Sequence, residues 1–189
     1  MDIQVFDDII PQYLQDFYEF SIMGRTKDDE MYAFVPLVCR YEETANEGDY
    51  SPLSFVHVLK SSTAISPYLD NFGLIAQIAC VHANKFLSEI VVGRIFLSVP
   101  YETKRSYNEP HVDLPYKHTV VLYYVNDADG DTVFFDKDNR VVRSVSPKKG
   151  RVILFDGALY HGGGIPKNGP RCIVNFDIIT KELKNENIS

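Results

Sequence analysis

From residue 88 onward the sequence consists of short runs of β-branched and aromatic residues separated by turn-forming residues. In chain order the runs are EIVVGRIFLSV, HTVVLYYV, TVFF, VVRSV, RVILF and RCIVNFDII. The separators NDADGD, DKDN, PKKG and GGGIPKNGP are rich in Gly, Pro, Asp and Asn, which favour turns. This pattern is typical of successive antiparallel strands, and it predicts a β-sandwich or jelly roll.

Two helices are predicted before this β region. Pro11 stands where a helix could begin, and Leu14, Phe17 and Phe20 recur at helical spacing, which predicts a helix over about 10–22. A second helix is predicted over about 69–87, where one stripe is formed by Phe72, Ile75, Ala79, His82 and Phe86. We expect both helices to pack on one outer face of the sheet, so the predicted fold class is mainly β with flanking helices (α+β).

Length and composition fit one domain. The 189 residues are 45% hydrophobic and 13% aromatic, which is enough apolar material for a substantial core. The only long polar stretches, 24–31 and 42–51, are predicted to be loops rather than linkers. We therefore expect residues 1–189 to form a single domain, with a helical and loop support over 1–87, a jelly-roll core over 88–180 and a tail over 181–189.

The sequence predicts a cytoplasmic protein. The three cysteines, Cys39, Cys80 and Cys172, have no disulfide or metal-ligand spacing, and the N-terminus lacks a basic region followed by a long apolar one. No stretch approaches the roughly 18 apolar residues that span a bilayer. We therefore expect a soluble chain in a reducing compartment, without a membrane partner.

Charge is distributed unevenly around a net value of −7. Residues 1–100 carry 6 Lys and Arg against 14 Asp and Glu, a balance of −8, while residues 101–171 carry 11 against 9, a balance of +2. A duplex-binding protein needs a basic stripe that neutralises phosphates, so this distribution argues against nucleic acid as a partner. The second half could still bind an anionic small molecule.

Three residues in the second half have the spacing of a metal site. His111 and Asp113 are two residues apart in NEPHVDLP, and side chains at i and i+2 of an extended strand point to the same face. His161 follows 48 residues after Asp113, where an adjacent antiparallel strand could return it to the pair. Two imidazoles and one carboxylate leave three octahedral positions open, as in non-haem Fe(II) oxygenases. His118 has no partner at i+2 and is not expected to be a ligand.

Arg171 completes a recognisable arrangement, because it follows His161 by ten residues at the start of RCIVNFDII. The set His-x-Asp, distal His and Arg resembles the 2-oxoglutarate/Fe(II) oxygenase superfamily, and within it the prolyl 4-hydroxylase-like branch. The strand sequences HTVVLYYVN, DGDTVFF, PKKGRVILFDGALYHGG and GPRCIVNFDI add to the resemblance, which covers about residues 88–180. It implies a double-stranded β-helix core with His111, Asp113 and His161 as the Fe(II) ligands.

The resemblance also implies how the co-substrate binds. Arg171 would form a salt bridge with the C5 carboxylate of 2-oxoglutarate, for which a planar guanidinium is well suited. Tyr101, ten residues before the first ligand, and Tyr124, on the following strand, would add hydroxyl contacts, with Tyr107 and Tyr123 as competitors. Each of these tyrosines could equally be a packing residue, since strands favour tyrosine. The implied cofactors are Fe(II), 2-oxoglutarate and O2, with ascorbate as a candidate reductant.

The reaction implied is hydroxylation of a C–H bond with release of succinate and CO2. Branch resemblance favours a protein or peptide substrate, with proline first, and a small-molecule substrate has nearly equal standing. A non-catalytic cupin-like metal-binding module is the alternative from another class, and Arg171 argues against it because such a module needs no carboxylate anchor. The nucleic-acid demethylating branch has a second arginine where this chain has Asp177. The substrate-selecting loops, expected at 24–52 and 101–110, carry no readable code, and the oligomeric state stays open.

Overall fold

The computed structural model describes residues 2–24, 26–27, 30–31, 35–40 and 54–182. Its two helices are α1 (Gln12–Met23) and α2 (Leu69–His82). The strands in chain order are β1 (Ile3–Phe6), β2 (Thr26–Lys27), β3 (Glu30–Met31), β4 (Val38–Arg40), β5 (Ser54–Lys60), β6 (Lys85–Ser98), β7 (Thr119–Tyr124), β8 (Thr132–Phe135), β9 (Val141–Val145), β10 (Val152–Asp156), β11 (His161–Gly163) and β12 (Arg171–Glu182).

Two antiparallel sheets form the body of the protein. The large sheet has the strand order β1-β10-β7-β12-β6-β5-β4, and the small sheet has the order β11-β8-β9. A separate two-stranded ribbon is formed by β2 and β3. An apolar cluster that includes Val120, Leu122, Phe134, Ile153 and Phe155 draws on strands of both sheets. The two sheets therefore enclose a common interior, as the jelly-roll prediction requires.

Alternation along each strand separates this interior from the helix layer. On β7, Val121 and Tyr123 belong to the cluster shared with the helices, whereas Val120, Leu122 and Tyr124 belong to the cluster between the sheets. The same alternation holds on β12, where Cys172 lies on the helix side. Adjacent residues thus face different surroundings, because successive side chains of a strand point to opposite faces.

Both helices pack on the same outer face of the large sheet, which confirms the predicted layering. Tyr18 of α1 is fully buried, stacks on Phe72 of α2 at 5.0 Å and meets the edge of Tyr123 on β7 at 5.7 Å. Its hydroxyl donates a hydrogen bond to the Asn71 carbonyl at 3.0 Å. Burial of a ring of this size contributes about 1.5–3 kcal/mol. No helix among the described residues is long and apolar enough to cross a membrane.

Ion pairs tie the N-terminal segment to the turn before β10. Asp7 accepts hydrogen bonds from Arg151 at 2.8 and 3.0 Å, and Lys148 Nζ lies 3.2 Å away. Lys149 donates to Asp16 and Glu19 of α1, both at 2.6 Å. The hydrogen bond from Arg151 is the main reason why the pKa of Asp7 falls to about 2, against the opposing effect of partial burial. The first helix is thereby fixed to the strands of the core.

The second helix is shorter than predicted. It ends at His82, Asn84 adopts φ 54°, and Lys85 begins β6, so the predicted last turn belongs to a strand. A left-handed residue of this kind ends a helix, and Asn is one of the few non-glycine residues that tolerate it. The first helix begins at Gln12 and ends at Met23, close to its predicted range.

The N-terminal part contributes strands as well as helices. β1 pairs with β10, and β5 pairs with β6, so both extend the large sheet. The predicted loop 24–31 contains β2 and β3, whereas the predicted loop 42–51 and residues 183–189 of the predicted tail lie outside the described residues. The division into support, core and tail stays a prediction, with β12 continuing to Glu182.

Candidate metal centre

Backbone pairing brings the two predicted histidine ligands together. His111 lies in the segment between β6 and β7, and His161 is the first residue of β11. The N–H of each donates to the carbonyl of the other at 3.0 Å, which forms an isolated antiparallel bridge. The two imidazole rings lie 4.9 Å apart, centre to centre.

Asp113 completes the group between the two imidazoles. Its Oδ1 lies 3.7 Å from His111 Nε2, and its Oδ2 lies 3.4 Å from His161 Nε2. His111 Nδ1 donates to the Glu109 carbonyl at 2.9 Å, and His161 Nδ1 donates to the Leu159 carbonyl at 3.0 Å. Because a carbonyl can only accept, these bonds leave both Nε2 atoms unprotonated in the neutral rings and facing the carboxylate. This is the orienting shell that metal-bound histidines require.

The electrostatics keep Asp113 ionised. Burial on its own would raise the pKa of this carboxyl, but a hydrogen bond and positive charge from His161 in its protonated form, with a further contribution from protonated His111, lower it to about 2. The three ligand atoms lie within 4.8 Å of one another, which is close enough for a single ion. Two nitrogen donors and one carboxylate oxygen suit Fe(II) with open positions. The structure therefore brings together the three ligands that the sequence spacing predicts.

Arg171 lies in the interior as a buried cation. The residue is 3% exposed, its Nη2 donates to Thr132 Oγ1 at 2.9 Å, and its Nε has no hydrogen-bond partner among the described residues. Burial lowers the pKa of this guanidinium. No carboxylate of the described residues forms an ion pair with it. Because an unpaired buried charge is costly, an anion bound beside Arg171 would stabilise this arrangement.

Tyr124 lies beside Arg171 and Tyr123 does not. The guanidinium carbon of Arg171 lies 5.7 Å from the centre of the Tyr124 ring, and the Tyr124 hydroxyl hydrogen-bonds to Thr132 Oγ1 at 2.7 Å. Tyr123 faces the helix layer. Tyr107 packs edge-on against Phe135 at 5.1 Å, in the segment that pairs with Gly164. Tyr101 lies beyond the end of β6 and is partly buried, and its contact with a co-substrate stays a prediction.

A second cluster adjoins Asp113, and sequence reasoning missed it. His118, Asp177 and Asp113 also place their ligand atoms within 4.8 Å of one another, with His118 Nε2 3.8 Å from Asp177 Oδ1. Asn175 Nδ2 donates to Asp113 Oδ2 at 3.5 Å. Burial, followed by the negative charge of Asp113, raises the pKa of Asp177 to about 8. The available signal was that Arg171, Asn175 and Asp177 are separated by even numbers of residues, which places all three on one face of β12.

Glycines let the backbones around the site approach each other. A Cβ atom at Gly162 would lie 2.8 Å from the Asn108 carbonyl oxygen, and one at Gly157 would overlap the ring of His118. At Gly163 a Cβ would lie 3.4 Å from Arg171 Nη1. Side chains at the first two positions would push apart the segments that carry the candidate ligands.

Comparison with solved structures defines the fold. No family model and no curated protein match the chain. A 2OG-Fe(II) oxygenase family oxidoreductase from Burkholderia pseudomallei is 14% identical, with a TM-score of 0.66 over 93% of this chain and 84% of the other. The fold is that of the 2-oxoglutarate/Fe(II) oxygenases. It is therefore the double-stranded β-helix that the sequence resemblance implied.

Two further oxygenase structures with different chemistry have the same fold. A prolyl hydroxylase from Trichoplax adhaerens, in complex with a hypoxia inducible factor oxygen degradation domain peptide fragment, is 11% identical with a TM-score of 0.60, covering 93% of this chain and 83% of that one. The non-heme alpha ketoglutarate dependent epimerase SnoN from nogalamycin biosynthesis is 11% identical with a TM-score of 0.60, covering 94% and 77%. This oxygenase fold thus accompanies more than one reaction, and function has to be argued from the site.

Proposed function

We propose that this chain is an Fe(II)- and 2-oxoglutarate-dependent dioxygenase that hydroxylates a C–H bond. The observation that carries the proposal is the buried Arg171, which has no ionic partner among the described residues and lies on the strand whose Asn175 contacts Asp113. A metal-binding module has no use for such a cation, whereas a dicarboxylate co-substrate needs one. The cupin-like alternative is disfavoured for this reason.

In this proposal each residue has a distinct task. His111, Asp113 and His161 hold Fe(II) through two nitrogens and one oxygen, with both rings oriented by backbone carbonyls. Arg171 binds the C5 carboxylate of 2-oxoglutarate, and Thr132 and Tyr124 fix the guanidinium. With O2, the bound iron and co-substrate supply oxidative decarboxylation to succinate and CO2, coupled to oxidation of the substrate C–H bond. The apolar interior excludes water from this chemistry.

Two substrate classes remain in the proposal. The Trichoplax adhaerens structure contains a peptide, which supports a peptidyl substrate such as proline. A cavity lined by Leu114, the residue after Asp113, supports a small molecule. Ascorbate is carried as a candidate reductant. The three free cysteines agree with the proposed cytoplasmic location, since a reducing compartment keeps thiols unpaired.

The test is a titration of 2-oxoglutarate into the anaerobic Fe(II)-loaded protein. We expect the charge-transfer absorption of a keto acid chelated to iron, and succinate release once O2 is admitted. Asp113→Ala should abolish both signals while circular dichroism stays near wild type. Activity of that variant equal to wild type would contradict the metal assignment, and absence of 2-oxoglutarate binding to wild type would favour the cupin-like module.

A further inference from the structure

A cavity of about 710 Å3 lies beside the segment that follows Asp113, a candidate metal ligand. One wall is formed by Leu114, which directly follows Asp113 in the chain, and by Tyr116. The other walls come from the segment after β5 and from β6, and they include Lys60, Ile65, Glu89 and Arg94. The volume is in the range of cavities that bind small molecules.

Arg94 faces this cavity from the interior side of the large sheet. It lies on the same face of β6 as Phe96, which packs against the cluster between the two sheets. In the sheet register Arg94 is opposite Asn175, whose amide contacts Asp113 at 3.5 Å. Side chains opposite each other on neighbouring strands have Cβ atoms about 5 Å apart. Asn175 therefore lies between Arg94 and the candidate metal ligand Asp113.

The two basic side chains of the cavity differ in their pairing. Lys60 Nζ forms an ion pair with Glu89 at 3.4 Å. Arg94, which is partly buried, makes no hydrogen bond and no ion pair with any described residue, and its charge reaches the Asp177 carboxyl only through space. A partly buried guanidinium retains five donors that need acceptors. Arg94 is accordingly the cationic group in this cavity that is free to bind a ligand.

We propose that this cavity binds the primary substrate and that Arg94 anchors its carboxylate, so that the substrate is a small carboxylic acid oxidised at a carbon close to that group. The proposal rests on the proposed function, because it assigns the substrate of the same site. A planar guanidinium binds a carboxylate through two parallel hydrogen bonds. The short path from Arg94 to Asp113 through Asn175 places the reacting carbon within a few bonds of the carboxylate.

Charge balance favours a monoanion with an apolar body. One unpaired cation compensates one negative charge, while the Asp113 carboxylate opposes a dianion such as a phosphate ester. Ile65, Val91 and Leu114 offer apolar contact to the hydrocarbon part of the ligand. A peptide chain, in contrast, would present neutral amides to Arg94 along most of its length.

The experiment is equilibrium dialysis with detection by mass spectrometry. Aliphatic, aromatic and N-acetylated amino carboxylic acids, each paired with its primary amide, are dialysed against the anaerobic Fe(II) protein saturated with 2-oxoglutarate. We expect at least one acid to bind wild type about tenfold or more tightly than its amide. Arg94→Gln should abolish this preference, and Arg94→Lys should retain part of it. The matched control Arg140→Gln, at an exposed arginine far from the cavity in sequence, should leave it intact.

The outcomes separate this inference from the proposed function. Equal binding of acids and amides, binding of no acid at all, or an acid preference that survives in Arg94→Gln would each overturn the carboxylate site. So would a peptide with blocked ends that binds wild type and Arg94→Gln equally. The affinity for 2-oxoglutarate should be the same within twofold in wild type and Arg94→Gln, and its absence in wild type would overturn the proposed function and this inference together.

Discussion

The interior face of β12 carries a buried cation at Arg171 and a buried acid at Asp177. At the beginning of the strand, Arg171 is a buried cation whose described hydrogen-bond partner is the neutral Thr132 hydroxyl. Six residues further on, Asp177 is fully buried, and neither of its oxygens has a hydrogen-bond partner among the described residues. Asn175, two residues before Asp177, contacts Asp113. The candidate metal centre therefore lies near Asp177.

Distance along β12 keeps Arg171 and Asp177 apart. Six residues of strand span about 20 Å, so Arg171 and Asp177 cannot form an ion pair with each other. Each group consequently stays available for other partners: we propose an anion at Arg171, and Asp113 of the candidate metal centre lies beside Asp177. A strand that placed the two charges on adjacent rows would satisfy both and leave no binding site.

The largest effect is expected from removing a candidate metal ligand. His161→Ala takes away one of the two nitrogen donors, so we expect loss of stoichiometric iron from the purified protein. Metal analysis after dialysis against Fe(II) under anaerobic conditions measures this. His57→Ala, at a histidine bonded to Pro36 and Ser66, is the matched control and should retain the metal. Iron content equal to wild type in His161→Ala would remove His161 from the site.

The next largest effect is expected at Arg171, on the affinity for 2-oxoglutarate. Arg171→Ala should weaken 2-oxoglutarate by roughly thirty- to a thousandfold, because a charge-assisted two-pronged contact in an apolar interior contributes about 2–4 kcal/mol. Iron affinity should barely change, since Arg171 is not a ligand. The measurement is the charge-transfer titration in the anaerobic Fe(II) protein. Arg171→Lys keeps the charge without the fork and should fall between the two, and equal affinity in all three proteins would exclude Arg171 from the site.

A smaller effect is expected at Asp177, on the pH dependence of the free energy of unfolding. The folded-state pKa of Asp177 is about 8, above the usual value of 3.8. At pH values between 3.8 and about 8, the folded state therefore binds a proton that the unfolded chain does not. The wild-type free energy of unfolding therefore falls as pH rises from about 4 to 8. Asp177→Asn removes this term, and the metal-free variant should gain about 1 kcal/mol or more on wild type between pH 5 and pH 8. Chemical denaturation at both pH values measures it; parallel changes in the two proteins would contradict the assignment.

The smallest effect is expected at Asp7, outside β12, where a substitution leaves Arg171 and Asp177 unchanged. Asp7→Asn breaks the ion pairs with Arg151 and Lys148 and should cost about 1 kcal/mol or less at pH 7, because the pair is partly exposed. The folded pKa of Asp7 is lowered, so its contribution is present above pH 3.8 and is lost as pH falls through about 2. Thermal unfolding at pH 7 and pH 2 follows it. Asp138→Asn, at an exposed pair 3.9 Å long, should have no measurable effect.

Local sequence signals predicted the strands that carry their own pattern. TVFF and VVRSV coincide with β8 and β9, and the runs for β7, β10 and β12 are displaced by one to three residues at their ends. The clustering of His111 with Asp113 was predictable from their i, i+2 spacing, although both lie in the segment between β6 and β7 rather than in a strand. The position of Arg171 at the start of a strand was predictable from the run RCIVNFDII, whereas its role as a carboxylate anchor comes from the family resemblance and stays a prediction.

What escaped the sequence depends on contacts between distant segments. The strand Ser54–Lys60 has no clear alternation, and its identity comes from pairing with β6 across helix α2. His118 has no neighbour in sequence that marks it, and it meets Asp177 only because β7 pairs with β12. The choice between Tyr123 and Tyr124 required the register, which decides which of two adjacent residues enters the interior.

The backbone bridge between His111 and His161 gives any bound ion a mechanical role. The two residues are separated by 50 positions, and the chain between them includes β7, β8, β9 and β10, from both sheets. An ion held by both side chains would close a loop of this length and so restrict the unfolded ensemble in the way that a cross-link does. Ligand exchange at the iron and separation of the two sheets would then be coupled, and resistance to unfolding would depend on occupancy of the site.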